Sequence, residues 1–245
     1  MNLLGLGLVV FSGFLLFILP LIKRKSPPKL RGIPALTRLY RAVGLSVEDG
    51  TRLLIGLGGD SLLTPSGGAP LAGLGLLRHL TERTSLSDRP PIAAAGESSL
   101  ALLAQDTLEA GYQGAGAGEY YQPTTGRLTG MTPFSSVSGM IPILHDENVS
   151  ATVLAGHFGV EAALLAEAAE RENTILIGSS DALSSQAALF ASAHEVLIGE
   201  ELFAAGAYMG AGPSHTASLT VQDVLRWLII LILLVGAALK LFGSI

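Results

Sequence analysis

Five short apolar runs, each stopped by glycine, constrain this chain more than anything else in it: "RLLIGLG" (52–58), "PIAAAG" (91–96), "SATVLAG" (150–156), "TILIG" (174–178) and "HEVLIG" (194–199). Runs of this length are too short for helices. Their near-freedom from charge suits strands buried on both faces, the condition of a parallel sheet. Between them the periodicity predicts helices over about 68–82, 97–111, 158–172, 182–192 and 200–209. Alternation of this kind implies an α/β layered domain with a mostly parallel sheet of about five strands and flanking helices.

The segment 111–149 breaks that rhythm. "GYQGAGAGEYYQPTTGRLTG" is rich in Gly, Tyr and Thr, and "TPFSSVSGMIPIL" follows it, with Thr132 placed to cap a helix and Pro133 at its first position. A loop this long in a compact domain is functional or touches a neighbour. Tyr120, Tyr121 and Phe134 favour a contact, because aromatic side chains anchor interfaces more often than they catalyse.

Both ends are apolar. "LLGLGLVVFSGFLLFILPLI" (3–22) and "WLIILILLVGAALKLFGSI" (227–245) are long enough, at about 1.5 Å per residue, to cross a hydrocarbon core of about 30 Å. In a cleaved signal peptide cations precede the apolar run; here "KRKSPPKLR" comes after it, so residues 1–22 read as an uncleaved transmembrane helix. Lys23, Arg24 and Lys25 at its foot hold that end in the cytoplasm. "TVQD" (220–223) has the form of a capping box for a second span starting near residue 218, with Arg226 and Trp227 at the cytoplasmic interface and Lys240 snorkelling to the far headgroups. The expected arrangement is a two-pass protein of the plasma membrane. Both termini lie outside, residues 23–49 form a basic linker and an amphipathic helix on the lipid headgroups, and 50–217 form a cytoplasmic domain.

Charge sharpens this division. Residues 23–41 carry seven cations and no acid, whereas 42–222 carry six arginines against nineteen acids, a net of −13. Such a body is a poor partner for nucleic acid, which demands clustered cations. It suits a basic cytoplasmic protein instead. With no cysteine, the chain has no disulfide, thiolate nucleophile or cysteine-bound metal.

The strand–Gly–helix turns "AAAGESS", "LAGHFGVE", "IGSSDALSS" and "LIGEELF" gather Gly96, Glu97, Ser98, His157, Glu161, Ser179, Ser180 and Asp181 at the carboxyl ends of the strands, where open α/β sheets bind ligands. The same residues serve as tight exits and helix caps, and the turns favour that packing reading. None of the turns is a dinucleotide or P-loop fingerprint, and no lysine lies between residues 30 and 239 to hold a phosphate. Carboxylates at the helix starts repel anions. His145, Asp146 and Glu147 with His157 and Glu161 offer metal-ligand chemistry without a motif, and no catalytic set, cofactor or metal is expected.

"SVEDGTRLLIGLG", "SDRPPIAAAGESSLALLAQDTL", "HDENVSATVLAGHFGVEAALL" and "IGEELFAAGAYMGAGPSHTASL" with its terminal span resemble a family of bacterial and archaeal membrane proteins carrying a domain of unknown function. The resemblance implies a membrane-tethered α/β domain and assigns no chemistry. On these grounds the expected function is a non-enzymatic scaffold that self-assembles as a homo-oligomer, with a small-molecule sensor or enzyme using the strand ends as the alternative.

Overall fold

A computed structural model describes residues 3–23, 31–59, 62–210 and 212–241. It divides the chain into two compact units, Gly32–Met209 and the two terminal segments together.

In the first unit six strands form one parallel sheet in the order β3-β2-β1-β4-β5-β6. These are β1 (Arg52–Gly58), β2 (Ile92–Ala95), β3 (Gly126–Leu128), β4 (Val149–His157), β5 (Ile175–Ser180) and β6 (Glu195–Leu197). The five expected strands are present within a few residues of their apolar runs. The sixth, β3, lies in the Gly/Tyr/Thr-rich segment that reads as loop. Its three residues are too few for any periodicity, and it forms because it pairs with β2 through Ala93–Ala95 on the sheet's edge.

Strand alternation sends Leu53, Ile55 and Leu57 to one face and Leu54 to the other, so each face has its own core. On the first face lie α2 (Pro34–Glu48), α3 (Gly68–Thr84), α4 (Ser98–Gly114) and α8 (Glu201–Tyr208); on the second lie α5 (Pro133–Asp146), α6 (Ala162–Arg171) and α7 (Leu183–Ser192). Covering both faces is what uncharged strands require. Helix α3 sits so close to β4 that a Cβ on Gly73 would lie 2.0 Å from the Ala155 carbonyl oxygen. Asn148 and Asn173, both at φ +54, end α5 and α6 in the left-handed region and turn the chain into β4 and β5.

Helix α2 departs from expectation. The amphipathic pattern is real, but Ala35, Leu36, Leu39, Ala42 and Val43 are buried in the first core instead of lying on headgroups. Burial against a ready apolar sheet face removes this stripe from water as lipid would. The domain therefore starts near Gly32, not residue 50. At its other end Tyr40 of α2 donates its hydroxyl to the Tyr208 carbonyl at 3.2 Å, so the unit's first and last helices are neighbours.

The second unit comprises α1 (Leu3–Lys23) and α9 (Pro213–Leu241). Among the described residues one helical stretch, Ser218–Leu241, is long and apolar enough to cross a membrane; the apolar stretch in α1, Gly5–Leu15, is shorter than a span, so the expected N-terminal transmembrane helix is not shown. Thr220 does not cap α9. The helix begins at Pro213, and Thr220 Oγ1 bonds back to the Thr216 carbonyl at 3.5 Å inside it. Arg226 lies 3.9 Å from Asp223, one turn away, and Trp227 and Lys240 are exposed along the helix. Lys23 closes α1, while Arg24 and Lys25 lie outside the described residues.

Candidate functional site

The sheet order reverses between β1 and β4. Chain connections leave this point in opposite directions, and in open α/β sheets the crevice at the carboxyl ends of such strands is where ligands bind. The residues there are Gly58, which ends β1, Gly59 just after it, and His157, which ends β4. Gly58 pairs with His157 at φ +82, a conformation open to glycine, and the Gly59 amide reaches the His157 carbonyl at 3.4 Å.

The β5 exit fixes what faces His157. Ser180 Oγ donates to the Phe158 carbonyl at 2.9 Å and accepts from the amides of Phe158 and Ala182 at 3.1 and 3.2 Å. With Gln186 Nε2 donating to its carbonyl at 2.8 Å, Ser180 staples the ends of β4 and β5 together. Asp181, the next residue, accepts a hydrogen bond of 2.7 Å from His157 Nδ1–H. The side chains are 34% and 23% exposed, so the pair is held in place yet reachable. A carboxylate on Nδ1 fixes the ring's tautomer and orientation, the arrangement used to position histidines for proton transfer or ligand recognition.

Glu161 is engaged differently. Its Oε1 accepts the Gly159 amide at 2.6 Å and the residue is buried, so it clamps the turn after β4. Helix α6 starts only at Ala162, after Glu161, so His157 and Glu161 share no helical face. Ser179 is buried, and its Oγ has no hydrogen-bond partner among the described residues.

Gly96, Glu97 and Ser98 stand at the end of β2, on the far side of β1 from His157. The Gly96 amide donates to the Gly58 carbonyl at 2.8 Å, and a Cβ on Gly96 would lie 2.7 Å from Gly59 Cα and 2.8 Å from Ser136 Oγ. Glu97 caps α4, accepting the Leu100 amide at 2.9 Å and the Ser99 hydroxyl. The Ser99 bond holds its carboxyl below the usual range, with the Leu100 and Ser99 amides adding to it against a partial desolvation. Ser98 is exposed in the first turn. The expected residues thus fall into two groups that meet through the glycines of β1.

Sequence reasoning missed Gly58, Gly59, Thr129 and Ser136. Thr129 Oγ1 donates to the Ala95 carbonyl at 3.2 Å and lies 3.2 Å from Ser136 Oγ, tying β3 and α5 to this edge. The adjacent glycines closing "LIGLGG" were the available signal for the first two.

The metal-ligand set does not converge. His145, Asp146 and Glu147 precede β4 and His157 ends it, so this nine-residue strand holds them about 30 Å apart. His145 Nδ1 instead meets Glu172 at 3.0 Å, and Glu147 binds Arg52 and Arg127 at 3.3 and 2.7 Å. Among the described residues no three His, Cys, Asp or Glu side chains form a metal-sized group.

The aromatic residues of the long segment divide too. Tyr120 and Phe134 are exposed. Tyr121 packs inward, its ring 6.1 Å from that of Tyr112 and its hydroxyl donating to the Gln105 carbonyl at 3.2 Å.

No curated protein and no solved structure matches this chain. A family does, with a match that runs over residues 2–245 and so takes in the sheet, its switch point and both terminal helices; the chain belongs to the family of the Domain of unknown function DUF6754.

Proposed function

We propose that this protein is a membrane-anchored binding protein whose α/β domain holds a small molecule at the strand ends between β1 and β4. The observation that supports this reading most is the placement of the His157–Asp181 pair at the reversal point of the sheet. Glu97, Glu161 and Asp181 make the surroundings acidic, so the ligand class is a neutral or cationic molecule bearing hydroxyl or amine groups, not a phosphate ester. Neither a nucleophile nor a metal is assigned, and the reading is binding, not turnover.

The anchor in this reading is a hairpin: α1 and α9 both cross the plasma membrane and the domain lies in the cytoplasm. The seven cations of residues 23–41, next to α1, favour that orientation.

The test is a thermal-shift panel of nucleosides, polyols and amines on the detergent-extracted chain, repeated with Asp181→Asn. A hit of a few degrees that vanishes in the variant supports the reading. Absence of any shift across the panel, with no small molecule accompanying the purified protein, sinks it.

Self-assembly is the second reading, favoured by the exposed Tyr120, Leu128, Met131 and Phe134 around the β3 edge. Apolar groups collected at an unpaired sheet edge suit a second protein surface.

A further inference from the structure

A groove of about 560 Å³ lies at the opposite ends of the strands from His157, between α2 and the first residues of β5 and β6. Arg38, Arg41 and Leu45, at three- and four-residue spacing along α2, form its helical wall with Thr37 beside Arg38. Ile175, which opens β5, and Glu195, which opens β6, face them.

Its charge is opposite to that of its domain. Gly32–Met209 carries eight arginines and nineteen acids, yet this groove holds two arginines against one carboxylate. Arg38 Nη1 lies 3.4 Å from Glu195 Oε1, which fixes that guanidinium in the groove wall. Arg41 is exposed and makes no ion pair among the described residues. The amino end of α2 adds to this, because Ile33 provides no side-chain cap and no acid occupies the first turn, so the positive end of the helix dipole is uncompensated. Beside the charges run Leu45, 44% exposed, and Ile175.

We propose that this groove binds the phosphate headgroup of an anionic phospholipid, with Arg41 and Arg38 on the phosphate and the Leu45–Ile175 strip against the upper acyl chain. Guanidinium forks match phosphate oxygens, and the acidic remainder of the domain turns such a group away. The lipid source is favoured over a free phosphate by connectivity. Helix α1 closes at Lys23 and α2 opens at Pro34, and the linking residues include Arg24, Lys25, Lys29 and Arg31, a run that draws anionic lipid. The site rests on the membrane-anchored reading but not on the ligand at His157.

Native mass spectrometry of the full chain in detergent tests it, with titration by phosphatidylglycerol, phosphatidylcholine and inorganic phosphate. The wild type is expected to retain one phosphatidylglycerol in preference to phosphatidylcholine. Arg41→Gln should weaken that binding about tenfold, the loss of one charge-assisted contact. Glu195→Gln should strengthen it severalfold by freeing Arg38, a gain that misfolding cannot mimic. Equal affinity for the two lipids, indifference to both variants, or displacement by inorganic phosphate at the lipid's own concentration overturns the assignment. A chain that stays in the aqueous phase without detergent removes the anchored reading and the lipid with it, whereas one that needs detergent but ignores headgroup charge removes the groove alone.

Discussion

At the scale of single residues, close backbone approach explains more of this chain's glycine than ligand cradling does. Gly73 and Gly75 make the contrast within one helix. A Cβ at Gly73 would lie 2.0 Å from the Ala155 carbonyl oxygen, while at Gly75 it would meet nothing within 4 Å. Gly73→Ala must push α3 off β4 and should cost about 1–3 kcal/mol; Gly75→Ala, at an exposed helix position, should stabilise by about 0.5–1 kcal/mol. Denaturant midpoints of the two variants should therefore move in opposite directions. Tyr112 offers a second test. Burial raises its phenol to about 12, with Arg52 pulling weakly the other way. An unfolded tyrosine loses its proton near pH 10, so between about 10 and 12 the folded state holds a proton that the unfolded state has released. Stability must fall as pH rises through that window. Tyr112→Phe should flatten the decline seen in melting temperature above pH 10, and an unchanged slope would show that the phenol titrates alike in both states.

At the scale of elements, the α5 start joins legible sequence to observed geometry. Thr132 accepts the Ser135 amide at 3.3 Å and Ser135 Oγ accepts the Thr132 amide at 2.9 Å, a reciprocal cap followed by Pro133 at the first helical position. Thr132→Ala should cost about 1 kcal/mol, read as a lower urea midpoint with an unchanged slope. Such local signals are why the major strands and helices of the domain could be read from the chain: their patterns arise within one element. What was not legible depends on elements meeting. β3 has no pattern of its own and exists by pairing with β2. The apolar stripe of α2 is the same whether it faces lipid or a sheet, and only tertiary contact decides between them. The candidate site follows the same division. The glycine exits and their acidic or hydroxyl neighbours were visible, but that Asp181 would face His157 follows from β4 and β5 being adjacent, a fact of strand order. Ser180, which looked like a ligand contact, proves to be the staple that holds the two strand ends.

At the scale of the whole molecule, the proposed anchored arrangement predicts which compartment the α/β domain occupies. A switch-point site and an anionic-lipid groove in the cytoplasm both require the domain to share a compartment with the cations of residues 23–41. The absence of native cysteine makes this measurable without background, since a single introduced thiol is the only one in the chain. Leu86, in the turn between α3 and β2, is 79% exposed and packs against little, so Leu86→Cys should leave the fold intact. In intact cells a membrane-impermeant maleimide should leave this thiol unlabelled, and in inside-out vesicles it should label it fully. A thiol introduced before α1, at Asn2→Cys, should behave in the opposite way if both termini lie outside. Labelling of Leu86→Cys in intact cells would place the domain outside, against the positive-inside bias of its own collar. The groove would then face the outer leaflet, and the ligand at His157 would have to be sought among extracellular solutes.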